Sequence, residues 1–212
     1  MDVFEEVRAH GILPVVEIDH VDSAAPLAEA LLAGGLPCAE ITMRTEAALP
    51  AIGVIADRYP ELLLGAGTVM NPVQAGAAVE AGCRFVVCPG FDIGVVDWCV
   101  ERQIPIVPGV STPTEINMAL AQGLDVVKFF PAEASGGRRW IAAIAPAYPD
   151  VRFVPTGGIG PDNLADYLRM PTVLACGGSW LVSSQLIADR DFRRITDLTI
   201  AATAVVRDAR AG

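Results

Sequence analysis

Lysine is almost missing from this chain: of the fifteen basic side chains among 212 residues, fourteen are arginine and one, Lys128, is lysine. Positive charge is scarce altogether, since 25 acids outweigh those bases and leave a net charge of −10. Nucleic acid and anionic membranes both demand a basic face that neutralises phosphates, so neither is an expected partner. A small anion is not excluded, because it answers to a few local arginines and backbone N–H groups rather than to net charge. Long apolar runs are absent too; none approaches the roughly 18 residues of a bilayer-spanning helix. The segment MDVFEEVRAH (1–10) carries acids where a secretory signal carries bases ahead of an apolar core, which predicts a soluble, cytoplasmic protein. The five cysteines, at 38, 83, 88, 99 and 176, show no C-x-x-C or Cys/His spacing. Neither a disulfide framework nor a zinc site is expected, and the acids show no paired metal-ligand pattern, so no metal and no cofactor are predicted. P-loop and nucleophile-elbow motifs are missing as well.

What is present is a repeated pattern. Eight short apolar runs recur about every twenty residues: 12–18, 38–43, 62–67, 84–90, 104–110, 126–131, 152–158 and 172–178. Most end in Gly or Pro, and between them lie stretches of helical period such as 22–35 and 71–82, bounded by turn or capping residues. Near-continuous apolar strands alternating with helices imply a parallel sheet covered on its faces. Eight such units in about 200 residues predict an α/β protein, a single-domain (β/α)8 TIM barrel spanning 1–212, with 191–209 as its closing amphipathic helix. A doubly wound open sheet is the alternative; the lack of G-x-G-x-x-G after the first strand weighs against it.

Three charges interrupt these strands: Glu40, Arg44 and Lys128. An ionisable residue in mid-strand of a barrel points inward and needs a reason. Lys128 sits in V-V-K-F-F-P, where burial works against the ammonium form, and the neutral amine is what attacks a ketone to form an imine. A chain that meets its other cationic needs with arginine and keeps one lysine points to a use for an amine that can lose its proton. The other account is a structural lysine reaching the rim. In A-E-I-T-M-R-T, residues 40, 42 and 44 share one face, with Arg44 roughly 13 Å further along than Glu40. That face offers a carboxylate for proton transfer, a hydroxyl and a guanidinium for a substrate carboxylate, unless Glu40 serves only a structural ion pair. T-G-G (156–158) and C-G-G-S (176–179) follow the last two strands, where barrels commonly seat a phosphate on backbone N–H groups. His10 and His20 have no ligand spacing and are expected to be ordinary surface residues; Glu17 is a fourth mid-strand charge, suited to partner a cation.

The segments 14–16, 39–45, 65–72, 88–91, 108–115, 128–137, 152–159 and 177–181 together resemble the class I 2-keto-3-deoxy-6-phosphogluconate (KDPG) aldolases, which often also act on 2-keto-4-hydroxyglutarate (KHG). The run K-F-F-P-A-E-A-S-G-G is the most specific of them, and the departure is Glu17, where the family carries an apolar or basic residue. The resemblance implies that Lys128 is the Schiff-base lysine and Glu40 the acid/base group, with Arg44, Thr68 and Pro89 lining the pyruvate half. It implies that Thr156, Gly157, Gly158, Gly178 and Ser179 hold the far end and its phosphate, and that the chain is a homotrimer. The expected activity is cleavage of KDPG, a small phosphorylated keto acid, to pyruvate and glyceraldehyde 3-phosphate. Alternatives are the same chemistry on the galactonate epimer or on 4-hydroxy-2-oxoglutarate, a metal-dependent or isomerase barrel that uses Lys128 as a cation, and a non-catalytic barrel binding a phosphorylated sugar acid.

Overall fold

The computed structural model describes residues 2–211. Its strands are β1 (Ile12–Val16), β2 (Cys38–Thr42), β3 (Leu63–Gly67), β4 (Phe85–Val87), β5 (Ile106–Val107), β6 (Gly109–Val110), β7 (Val126–Phe129), β8 (Arg152–Pro155) and β9 (Cys176–Gly178). The α-helices are α1 (Val3–His10), α2 (Ala24–Ala33), α3 (Ala48–Arg58), α4 (Pro72–Glu80), α5 (Ile93–Glu101), α6 (Pro113–Ala121), α7 (Gly137–Ile144), α8 (Leu164–Leu168), α9 (Ser184–Ala188) and α10 (Phe192–Ala211). Capping chemistry sets several helix starts. Asn71 accepts from the Gln74 N–H ahead of Pro72, Asp92 accepts from Val95, and Thr112 and Glu115 close a capping box around α6. The expected last helix, 191–209, is α10, which packs on α2 and α8.

The strands do not form the closed eight-stranded barrel that the sequence predicts. The strands form two parallel sheets, one of six strands in the order β5-β4-β3-β2-β1-β9 and one of three in the order β6-β7-β8. Both breaks in the ladder fall at prolines, which have no N–H to donate. The fifth apolar run, 104–110, splits around Pro108 into β5 and β6; the Pro108 carbonyl accepts from the Lys128 N–H at 2.9 Å, but Pro108 has no donor of its own to add to the ladder. At the other break, Phe153 donates to Thr172 and accepts from Leu174. With donors alternating along a strand, the next one on that edge belongs to residue 155, a proline. The Leu174 carbonyl is taken instead by Arg210 Nη2 at 2.7 Å, and in place of a β8–β9 ladder the described residues have isolated bridges, Phe153 of β8 with Val173 before β9 and Thr156 after β8 with Gly177 of β9.

Because every pairing is parallel, the strands end on one side of the sheets, and the side chains that follow them converge there. On the opposite side of β7 from Lys128, Phe129 stacks on Trp140 of α7 with centroids 4.4 Å apart, and Trp140 meets Phe153 edge-on at 6.1 Å. Such pairs add about 0.5–1.5 kcal/mol each beyond area burial. They fasten α7 across β7 and β8 and so fix the strand that carries the lysine.

Candidate active site

A cavity of about 380 Å³ opens at the strand ends. Its lining includes Arg44, Thr68, Pro89, Lys128, Thr156, Gly157, Gly158, Gly178 and Ser179, so the structure brings together every one of these sequence-selected positions. Glu40 lies beneath the floor. It is 1% exposed, and its Oε1 accepts a hydrogen bond from Lys128 Nζ at 3.1 Å. The two strands belong to different sheets and meet across the cavity: Glu40 on β2 lies opposite Val15 of β1 and Gly65 of β3, and Lys128 on β7 opposite Gly109 of β6 and Val154 of β8. Glycine makes room for it. A Cβ on Gly67 would stand 2.1 Å from Glu40 Oε1, and one on Gly109 would stand 2.3 Å from the Pro89 backbone. Gly67 of β3 is therefore required by the carboxylate and Gly109 by the Pro89 wall, while Gly65 makes room for the Phe85 ring.

Arg44, beyond the end of β2, is half exposed, and its Nη1 lies 3.4 Å from Glu17 Oε2. Glu17 thus partners a cation, as its position suggested. The Thr42 hydroxyl, on the same face of β2 as Glu40, donates to the Val16 carbonyl at 2.9 Å and ties β2 to β1. Thr68 has φ = 55°, in the left-handed region that β-branched residues seldom enter. Strain of this kind costs on the order of 1–3 kcal/mol and persists only where the surroundings impose it. Here it turns the chain at the cavity wall directly after β3. Gly157 and Gly158, at φ = 100° and 78°, make the turn after β8, which exposes backbone N–H groups in a conformation that side chains resist. Below Pro89, burial pushes the Cys88 thiol up to about 12, so it stays protonated and packs as a small apolar group.

Several lining residues escaped the sequence analysis. Phe130, directly after β7, lies with Lys128 in the cavity lining, with Nζ 5.4 Å from its ring centroid, and the alternation in K-F-F was the available sign. Ser183 and Ser184 complete the far wall, where Ser183 caps α9 by accepting from Leu186 N–H; an S-S pair ahead of a helix was the available sign. His10 and His20 do not line the cavity. Among the described residues no group of three or more His, Cys, Asp or Glu side chains is placed to hold a metal ion. The arrangement offers an amine and a carboxylate in contact on an apolar floor, one guanidinium on the rim and a glycine-rich turn across from it. That is equipment for attacking a carbonyl, moving a proton and holding two anionic ends.

Comparison with known proteins agrees with this equipment. The sequence profile of the family described as KDPG and KHG aldolase matches residues 3–198. A 2-dehydro-3-deoxy-phosphogluconate aldolase of Treponema pallidum is 49% identical over 197 residues, 93% of this chain and 94% of that protein. The structure of KDPG aldolase from Legionella pneumophila, with pyruvate captured as a covalent carbinolamine intermediate, superposes with a TM-score of 0.92 at 38% identity, covering 95% of this chain and 98% of that one. The Zymomonas mobilis 2-keto-3-deoxy-6-phosphogluconate aldolase with 3-phosphoglycerate gives 0.91 at 39% identity, covering 96% of each chain.

Proposed function

The chain belongs to the KDPG and KHG aldolase family and is a class I aldehyde-lyase that cleaves KDPG; we propose that Lys128 supplies the amine for its imine and Glu40 the group that moves the protons. The observation that carries this assignment is the buried contact at 3.1 Å between the chain's one lysine and Glu40, on the floor of the cavity. Transfer of one proton from the ammonium to the carboxylate gives a neutral amine in place. That amine adds to the C2 ketone; loss of water from the carbinolamine leaves an iminium. Glu40, by then deprotonated, removes the C4 hydroxyl proton, acting directly or through a water. The C3–C4 bond breaks, its electrons pass into the iminium as an enamine, and glyceraldehyde 3-phosphate leaves. Protonation of the enamine at C3 and hydrolysis of the imine release pyruvate and restore the amine.

In this assignment Arg44 and Thr68 hold the C1 carboxylate, with Pro89 closing that half of the wall. Thr156, Gly157, Gly158, Gly178 and Ser179 receive the phosphate. Borohydride added with pyruvate should trap one reduced pyruvate on Lys128 by intact-mass and peptide analysis; a protein left unlabelled under those conditions would defeat the assignment. We also propose a single domain acting as a cytoplasmic homotrimer. No described helix is long and apolar enough to cross a membrane. For assembly the support is a set of exposed apolar side chains, Met70, Val73 and Ile93, at the adjoining starts of α4 and α5, and light scattering on a sizing column tests it.

A further inference from the structure

The cavity has three charged side chains in its lining, Glu17, Arg44 and Lys128, and one of them is an acid. Glu17 stands directly after β1. In the order β9-β1-β2-β3, the cavity-lining residues just beyond the strand ends run Ser179, Glu17, Arg44 and Thr68, with Arg44 two residues past β2 and the others directly after their strands. Glu17 therefore lies between the wall assigned to the phosphate and the wall assigned to the keto acid. Among the described residues its side chain bonds to Arg44, at 3.4 Å through Oε2, and it is 34% exposed. A carboxylate has about four acceptor directions, and the single bond to Arg44 leaves Glu17 able to accept from a group bound in the cavity that it lines.

We propose that Glu17 is a specificity-determining residue that favours a substrate with hydroxyl groups on its middle carbons and disfavours one with a second carboxylate there. The inference rests on the orientation given under Proposed function. With C1 held at Arg44 and Thr68 and the far end at the glycine-rich turns, the C4–C5 stretch passes Glu17. In KDPG that stretch carries hydroxyls, which donate to a carboxylate in charge-assisted hydrogen bonds. In 4-hydroxy-2-oxoglutarate the C5 atom is itself a carboxylate, so two anions face each other across the cavity. Arg44 offsets part of that repulsion and water screens part of the rest, which leaves a discrimination of roughly tenfold rather than many orders.

The test is kcat/KM for pyruvate release from KDPG and from 4-hydroxy-2-oxoglutarate, measured for the parent enzyme and for Glu17→Gln, which keeps a hydrogen-bonding group and removes the charge. The ratio of the diacid value to the KDPG value should rise about tenfold in Glu17→Gln, chiefly through a lower KM for the diacid. An effect exerted only through Arg44 changes the grip on the C1 carboxylate that both substrates share. It would move both kcat/KM values together, and a ratio unchanged within twofold overturns the proposal. A parent enzyme that releases no pyruvate from either compound and takes no borohydride adduct at Lys128 overturns the aldolase assignment itself, an outcome distinct from an active enzyme with an unmoved ratio.

Discussion

Two acid–base pairs serve one cavity and differ mainly in depth. On the floor, Lys128 and Glu40 meet at 3.1 Å with side chains 6% and 1% exposed; on the rim, Arg44 and Glu17 meet at 3.4 Å with side chains 50% and 34% exposed. The distances are alike, so the difference in energy comes from solvent. Removing one partner of a buried pair strands an unsolvated charge, while an exposed pair is worth about 0–1 kcal/mol and exchanges readily with water or with another ion. The floor is thus built to keep its pair together until a reactant takes over one member. The rim suits exchange, because a substrate carboxylate can take the place of Glu17 on a guanidinium that water already reaches.

The largest effects are expected at the floor. Lys128→Ala should lower pyruvate release on the order of 10^5-fold and abolish the borohydride adduct, because no other side chain in the cavity is an amine. Lys128→Arg should be equally inactive, since arginine keeps the charge and cannot form the imine. Next in size is Glu40→Leu, which leaves the lysine unpaired and should cost about 3–5 kcal/mol in urea denaturation. Adding Lys128→Met to that variant should recover most of the loss, because both charges are then gone. Equal and additive losses from the two substitutions would show that the pair is not coupled, and the contrast with the rim would fall.

At the rim the effects are smaller and separate cleanly from folding. Arg44→Ala should shift stability by less than about 0.5 kcal/mol, as for an exposed pair. Its kcat/KM should nevertheless fall roughly 10- to 100-fold, the worth of a hydrogen bond to a charged group. A variant that unfolded as readily as Glu40→Leu would place Arg44 with the floor instead.

How far the site was legible in the chain follows the same division. The charges themselves stood out, because Glu40 and Lys128 interrupt apolar strands and Arg44 stands just past the end of one, and a period of two puts residues 40 and 42 on one face. Their pairing did not. Glu40 and Lys128 are 88 positions apart, and their meeting depends on two sheets facing one cavity, a relation that strand periodicity does not encode. The fold shows a similar limit. Strand and helix alternation was readable, yet eight apolar runs predicted one closed ladder where two sheets exist. Pro108 and Pro155 were visible in the sequence, but a proline breaks a ladder only on the edge that its missing N–H faces, and that edge is set by the neighbouring strand.

The smallest effect concerns a third carboxylate, one that depends on N–H donors rather than on a cation. Glu115 Oε2 accepts from the Ser111 and Thr112 backbone N–H groups and from the Thr112 hydroxyl, each at 2.8 Å, at the start of the helix that leads into β7. Burial pushes its carboxyl up, but these bonds outweigh burial and hold it below the ordinary carboxylate range. A depressed folded value adds stability above the unfolded value, and that stability is lost as pH falls through the folded one. Glu115→Gln should therefore unfold more easily at pH 7, by about 1 kcal/mol for a disrupted cap, or roughly 2–4 °C in a chain of this size. The gap should narrow as the solution is acidified below the ordinary carboxylate range, because the parent then protonates and loses what the variant already lacks. A gap that is flat or widens in acid would mean that Glu115 acts through its shape and not its charge. The floor pair would then be the sole place in this comparison where an ionised carboxylate is needed for the fold.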